Sequence, residues 1–236
     1  MARVLDAHGS KLPNEAAMET ENASTPYQDF ARVQMLPFVP QQARRVLDVG
    51  CHMGGFGRAL KARSQTEVWG VEPNPDTAGV AARSLDRVLT GFFSADMALP
   101  DRYFDAVVFN DVLEHMPDPW AALKLAAAKL APQGCIVASI PNLRHIDNLL
   151  HIVRDRDFNY EATGIRDRTH LRFYTRKSLP RLFTESGLEI LSLEGINEDW
   201  WTPSLPRRLA YRIFKEFLAD TKHIQYAVVA RPITGA

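Results

Sequence analysis

The chain alternates short apolar runs with stretches of helical period, and no other feature constrains its fold as strongly. RVLDVG (45–50), EVWGVE (67–72), FDAVVFN (104–110) and GCIVASIPN (134–142) read as buried strands, with DRVLTG (86–91) shorter and weaker. Helix patterns lie between them. GGFGRALKARS follows the first run, and NPDTAGVAARSL follows the second, with Asn74 or Asp76 placed to cap it. DPWAALKLAAAKLAPQG carries Trp120, Leu123, Ala127 and Leu130 on one stripe, and Gly134 stands just past its expected end. Strand and helix in alternation mean βαβ units. The expected fold is therefore α/β: a Rossmann-like, doubly wound, mostly parallel seven-stranded sheet with helices on both faces.

Later the pattern changes. KSLPRLFTESGLEILSLEGI predicts a helix, a stop at Gly187 and a strand, and HIQYAVVARP (223–232) predicts a last strand closed by Pro232. Residues 143–174 fit no βαβ unit and are rich in Arg and Asp, so they read as a lid or binding insertion. The domain reading is a segment 1–43 with a cap helix over PYQDFARVQMLPFVP, then a domain 44–236 carrying the lid.

Bulk composition excludes some classes. Lys+Arg and Asp+Glu both number 28, a zero balance that argues against a dedicated nucleic-acid partner. No run approaches the roughly 20 apolar residues of a membrane span, so no stable membrane insertion is expected. Cys51 and Cys135 share no metal-type spacing, and no signal peptide precedes the first strand; a reduced, cytoplasmic protein is the natural expectation.

Open α/β sheets bind ligands beyond the carboxyl ends of their strands, so the turn after the first strand matters most. GxGxxG would need Gly at position 52, where His52 stands, and the phosphate loop GxxxxGK[ST] is absent. What remains is Asp48-x-Gly50-x-x-x-Gly54, followed by Glu72 at the end of the second strand. VLDVGCHMG resembles the first motif of the class I S-adenosylmethionine (SAM) methyltransferases. That resemblance implies that Gly50, Cys51 and Gly54 pass close to the methionyl part of SAM, with Asp48 under the turn, near its ammonium or reaching it through water. It implies that Glu72, with Pro73 beside it, accepts hydrogen bonds from both ribose hydroxyls. In GFFSADMALP it implies an adenine contact by Asp96 and Met97, with Phe92 or Phe93 as a stacking ring; taken singly, each Phe is more readily core. Asn110 and Tyr27 complete the expected cofactor set.

FDAVVFNDVLEHMPDPW resembles the VLEH signature of the branch that includes ubiquinone-type and sugar-type methyltransferases. It places Asn110, Asp111, Glu114 and His115 at the sheet's carboxyl edge. An alcohol acceptor needs a base to take its proton. His115 is the first candidate because its ordinary pKa lies near neutrality, and Asp111 is the second, as base or as the group orienting His115. The plain alternative for His115 is a cap on local backbone. GIRDRTHLRFYTRKSL (164–179) resembles the DRTHLRFFT segment of methyltransferases of bacterial polysaccharide assembly. On that likeness His170 is a second base or a hydroxyl-binding group, and Arg168 and Arg172 bind a phosphate or a carboxylate; Asn142 and His145, just after the fifth strand, face the expected acceptor region. The arginines alternatively pair with Asp155, Asp157 and Asp167.

The expected function is thus methyl transfer from SAM to a hydroxyl of a sugar, nucleotide-sugar or glycan, with a natural-product or quinone-type small molecule as the alternative acceptor. A rival without catalysis, a SAM-binding module, would keep Gly50, Gly54 and Glu72 but lose the acceptor-side polar groups. No metal is expected: His115, His145, His151 and His170 with Asp111 and Glu114 are ligands enough, but no spacing forces them together. The amphipathic stretch around Tyr211, Phe214 and Leu218 is expected to pack on its own domain or on a second subunit, which leaves a homodimer open.

Overall fold

The computed structural model describes residues 31–198 and 204–233. Seven strands, β1 (Arg45–Val49), β2 (Glu67–Glu72), β3 (Arg87–Thr90), β4 (Phe104–Asn110), β5 (Leu130–Pro141), β6 (Leu188–Ile196) and β7 (Gln225–Pro232), form one sheet in the order β3-β2-β1-β4-β5-β7-β6. The first five strands pair in parallel, while β7 lies antiparallel between β5 and β6. The order reverses direction beside β1 and β4, so the crevice for a ligand opens above the ends of these strands.

The buried strands explain why the apolar runs are continuous. On β4, Val107 and Phe109 join the core on one face with Phe104, Ile136 and Tyr226, while Ala106 and Val108 join the other with Val46, Val68 and Val137. Both faces are covered, as a parallel sheet requires. Helix α1 (Gly55–Arg63) follows β1. Helix α2 (Pro75–Ala81) follows β2 and is capped by Asn74 Oδ1, which accepts the amides of Asp76 at 2.9 Å and Thr77 at 3.4 Å. Helix α3 (Pro119–Lys129) is capped by Asp118.

The end of α3 corrects one expectation. The periodic stripe predicts a helix reaching Gly134, but Leu130 is extended and already belongs to β5. Pro132 contributes: it disfavours the helical conformation at Ala131 before it, and it has no N–H to continue the helical hydrogen bonds, so the helix must end ahead of it. A register shift between Phe104 and Ala106 takes up the slack, and a Cβ on Gly134 would lie 2.9 Å from the Phe104 carbonyl oxygen.

The insertion holds α4 (Ile146–Leu150), a π-helical turn (His151–Asp155) and a loop that returns to the sheet edge through a bridge between Asn142 and Tyr174. Helix α5 (Leu179–Glu185) leads into β6, and α6 (Leu205–Ile213) and α7 (Lys215–Leu218) lead into β7. On the expected packing face Tyr211, which bonds Thr221, and Leu218 are half-buried and Phe214 is exposed, as are Leu205, Leu209, Ile213 and Phe217 around it, so among the described residues the face is only partly covered. Of the expected cap helix, residues 26–30 lie outside the described residues. Val33–Phe38 is a 3₁₀ turn whose Met35 is buried in the same core as Val46. No described helix is long and apolar enough to cross a membrane.

Candidate functional site

The turn after β1 is bent over the end of β2. The amides of Gly50 and Cys51 both donate to the Val71 carbonyl, at 2.8 and 3.1 Å, and Gly54 N–H donates to the Cys51 carbonyl at 2.8 Å. Gly50 has φ of +74°, and a Cβ there would stand 2.6 Å from Val112 Cγ2. His52 has φ of +49°. His is among the side chains enriched in the left-handed region, so it serves where the resemblance places glycine. Its amide donates to Glu72 Oε2 at 2.9 Å, and Asn74 N–H donates to Glu72 Oε1 at 3.0 Å. The Glu72 carboxylate is thereby pinned by two backbone donors at the strand end.

Two polar side chains beside this turn hold buried atoms without a partner among the described residues. Asp48 is buried on β1 and its Oδ2 accepts no hydrogen bond; at the end of β4, both amide atoms of Asn110 are likewise buried and unpaired. Burial, and next the negative charge of Glu72, push the Asp48 carboxyl up to about 7, with Arg32 pulling the other way. Burial also pushes the Cys51 thiol up. A buried acceptor left empty costs stability unless something fills it. A cationic ligand with donor groups fits such a set. Pro73 and Asp96 are exposed, Met97 is half-buried beside Gly91, and Phe93 packs edge-on against Phe109 while Phe92 is exposed. Tyr27 lies outside the described residues.

Beyond the end of β4, the structure brings together His115 and His170, whose rings meet edge to face at 4.6 Å between centroids. Burial holds the His170 pKa below its ordinary value, with the neighbouring His115 acting in the same direction. Glu114 joins them: both its carboxylate oxygens are buried and unpartnered, and burial followed by the charge of Asp111 holds its pKa well above the usual range. Among the described residues, Glu114, His115 and His170 bring one donor atom each within 4.8 Å of one another.

Asp111 is placed differently from a free base. Its Oδ1 accepts from Ser139 Oγ at 2.9 Å and Gln225 Nε2 at 2.6 Å, and its other oxygen pairs with Arg32. Asn142 is fully buried, donates to the Asp220 and His223 carbonyls and accepts from the Arg144 amide. His145 opens into a separate cleft with Asp147, His151, Arg166 and Arg207, a cleft whose lining includes neither His115 nor His170. Arg172 lies over the Trp120 ring, 4.9 Å from its centroid, and donates to the Pro117 carbonyl. Arg168 is exposed. Glu114 was legible in DVLEH as a residue at the sheet edge without a role. Arg32 and Gln225 carry no local signal, because they reach the site only through the fold.

A family model described as a methyltransferase domain matches residues 21–193. The chain belongs to the methyltransferase-domain family. The expected cofactor, SAM, stands with that membership. A SAM-dependent methyltransferase of known structure from Archaeoglobus fulgidus shares this methyltransferase's fold, with a TM-score of 0.59 at 22% identity over 92% of this chain and 99% of that one. Among relatives, a ubiquinone biosynthesis O-methyltransferase of Azoarcus sp. is 30% identical over 162 residues, 65% of this chain and 67% of the relative. Its counterpart in Aeromonas salmonicida is 27% identical over 161 residues, 65% of this chain and 66% of the relative.

These relatives overturn the sugar, nucleotide-sugar or glycan acceptor expected from the lid. The structure supplies a physical reason. In DRTHLRFYT, Asp167 and Thr169 bond to each other, Thr169 also bonds to His115, and Arg172 lies on Trp120. Asp167, His170 and Tyr174 of the segment are buried in the methyltransferase scaffold while Arg168, Thr169 and Leu171 are exposed, so part of its likeness to one branch is carried by residues that serve the fold.

Proposed function

We propose that the protein is a SAM-dependent O-methyltransferase acting on a hydroxyl of a quinone-type small molecule, in its reduced, phenolic form. The observation that carries the cofactor half is the pair of unpartnered buried groups, Asp48 and Asn110, beside the pinned Glu72. The acceptor half rests on the relatives' names and on the two histidines at the sheet edge.

SAM supplies an electrophilic methyl group on a sulfonium sulfur. Asp48 holds its ammonium end, with the backbone of Gly50, Cys51 and Gly54 alongside. Glu72 takes the ribose: each oxygen accepts one backbone N–H and has a lone pair left for a hydroxyl. Pro73, Asp96 and Met97 border the adenine, and Asn110 satisfies its amide with a polar group of the cofactor. His115 takes the acceptor's proton and His170 lies ready beside it. Asp111, already engaged by Ser139, Gln225 and Arg32, anchors rather than abstracts. Arg168 and Arg172 border the acceptor's polar end, and Asn142 and His145 support the lid.

The test is methyl transfer from radiolabelled SAM to a panel of catechols and hydroquinones. Methylated product from wild type, with His115→Ala losing turnover but keeping S-adenosylhomocysteine affinity, is the expected result. Tight S-adenosylhomocysteine binding with no product from any acceptor would replace the enzyme by a binding module.

A further inference from the structure

His115 is flanked at one nitrogen only by acceptors. Its Nδ1 lies 3.2 Å from the Thr169 carbonyl oxygen and 3.0 Å from Thr169 Oγ1. A carbonyl offers nothing but lone pairs. The Thr169 hydroxyl has one proton, and it points to Asp167 Oδ1 at 2.7 Å. That oxygen also accepts the Thr169 amide N–H at 2.8 Å, so it is an acceptor twice over. The hydroxyl therefore turns lone pairs toward the ring. With two acceptors against it, Nδ1 must carry the proton, and in the neutral ring the free lone pair sits on Nε2.

We propose that Thr169, itself held by Asp167, is a positioning residue that fixes His115 in the Nδ1–H tautomer and so presents a bare Nε2 to the acceptor hydroxyl. This rests on the reading of His115 as the base in methyl transfer. In that step the acceptor's O–H bond breaks and its proton goes to Nε2. The oxygen's electrons form the new O–CH₃ bond, and the S–CH₃ pair stays on sulfur as the thioether. The imidazolium so formed keeps its Nδ1–H on Thr169, with the Asp167 carboxylate behind it, and later returns its extra proton to solvent.

The surroundings hold this arrangement in place. Asp167 is buried. The amides of Leu171 and Arg172 both donate to the Glu114 carbonyl, at 2.9 and 3.1 Å, which stitches the Thr169 segment to the 3₁₀ turn Leu113–His115. His170 is governed in the same way, its Nδ1 lying 3.0 Å from the Ile165 carbonyl oxygen. Two imidazoles are thus oriented by acceptors from one loop, at residues 54 or more positions from the DVLEH turn in the case of His115.

The experiment is long-range ¹H–¹⁵N NMR on histidine-labelled full-length protein, with turnover measured alongside. Wild-type His115 should report Nδ1–H. Thr169→Val removes the hydroxyl and keeps the shape; it should admit the Nε2–H tautomer and lower kcat by about tenfold or more, within the range by which a positioned base contributes. Acceptor KM and S-adenosylhomocysteine affinity should hold, and Thr169→Ser should return both spectrum and kcat. The His170 signals report whether each variant is folded. Wild-type His115 in the Nε2–H form would overturn the proposal, as would Thr169→Val with an unchanged tautomer and full kcat. Failure of every acceptor to react would count against the proposed reaction instead, because the tautomer is read without any acceptor.

Discussion

Arg32, before the first strand, pairs with Asp111 at the end of β4, so the segment that precedes the sheet is tied to the carboxyl edge of its central strands. Asp111 sits at φ of +56° and also receives Ser139 and Gln225, which makes it a junction of four chain segments. Replacing Arg32 by Met should lower stability by on the order of 1–2 kcal/mol, toward the low end for a charged hydrogen bond because both groups are partly wet. Arg32 also restrains the Asp48 pKa, so the same variant should weaken S-adenosylhomocysteine binding at neutral pH. Calorimetric titration checks the second effect and denaturant unfolding the first.

Asp48 should make cofactor affinity depend on pH. Its folded pKa, about 7, lies above the ordinary 3.8. A ligand ammonium binds the carboxylate, so below pH 7 binding must first expel a proton. The Kd for S-adenosylhomocysteine should therefore rise as pH falls from 7.5 to 5.5, by up to about tenfold per unit. Asp48→Asn should bind weakly at every pH and show a flat profile.

The same group and Glu114 should set how stability without ligand responds to pH. Both carboxyls are raised, so the folded protein holds protons that the unfolded chain has released. Their contribution is intact below pH 4 and is lost as pH climbs toward the folded pKa. Glu114→Gln, which mimics the protonated form, should match wild type at acid pH and exceed its melting temperature increasingly between pH 5 and 8. A gap that narrows with rising pH would show Glu114 to be ionised and paired.

Gly50 is a steric requirement as well as a turn residue. A methyl group there would meet Val112 Cγ2 at 2.6 Å and would force an L side chain to φ of +74°. Gly50→Ala should cost about 1–3 kcal/mol by overpacking, with a further penalty from the backbone. Adding Val112→Ala should return the packing share only, which thermal melts of the double variant can separate.

The fold was legible because buried parallel strands are short continuous apolar runs, and β1, β2 and β4 fall almost where the sequence places them. The end of α3 was less so, because the apolar stripe runs through Pro132 into a strand without a break in hydrophobicity. At the site, motifs locate Asp48, Glu72, His115 and His170 because each sits at a strand end or in a contiguous signature. What motifs do not carry is who bonds whom. Asp111 reads as a base until Arg32 and Gln225, which meet it only in the folded chain, take its oxygens. The likeness of the lid to one branch of methyltransferases is carried in part by residues that bond within the fold, Asp167 and Thr169 among them, and so misdirected the choice of acceptor.

The antiparallel strand β7 has a consequence for how the molecule is made. Among the described residues it is the only strand that joins β5 to β6, yet it is synthesised after both. From Pro141 to Gln225 the ribosome needs roughly ten seconds at ordinary elongation rates, and throughout that time β5 presents an open edge. β6, once made, has no neighbour to join until the last strand arrives. Such a nascent chain carries an adhesive edge at its centre, and its passage through translation should depend on chaperones more than the finished protein's own stability does.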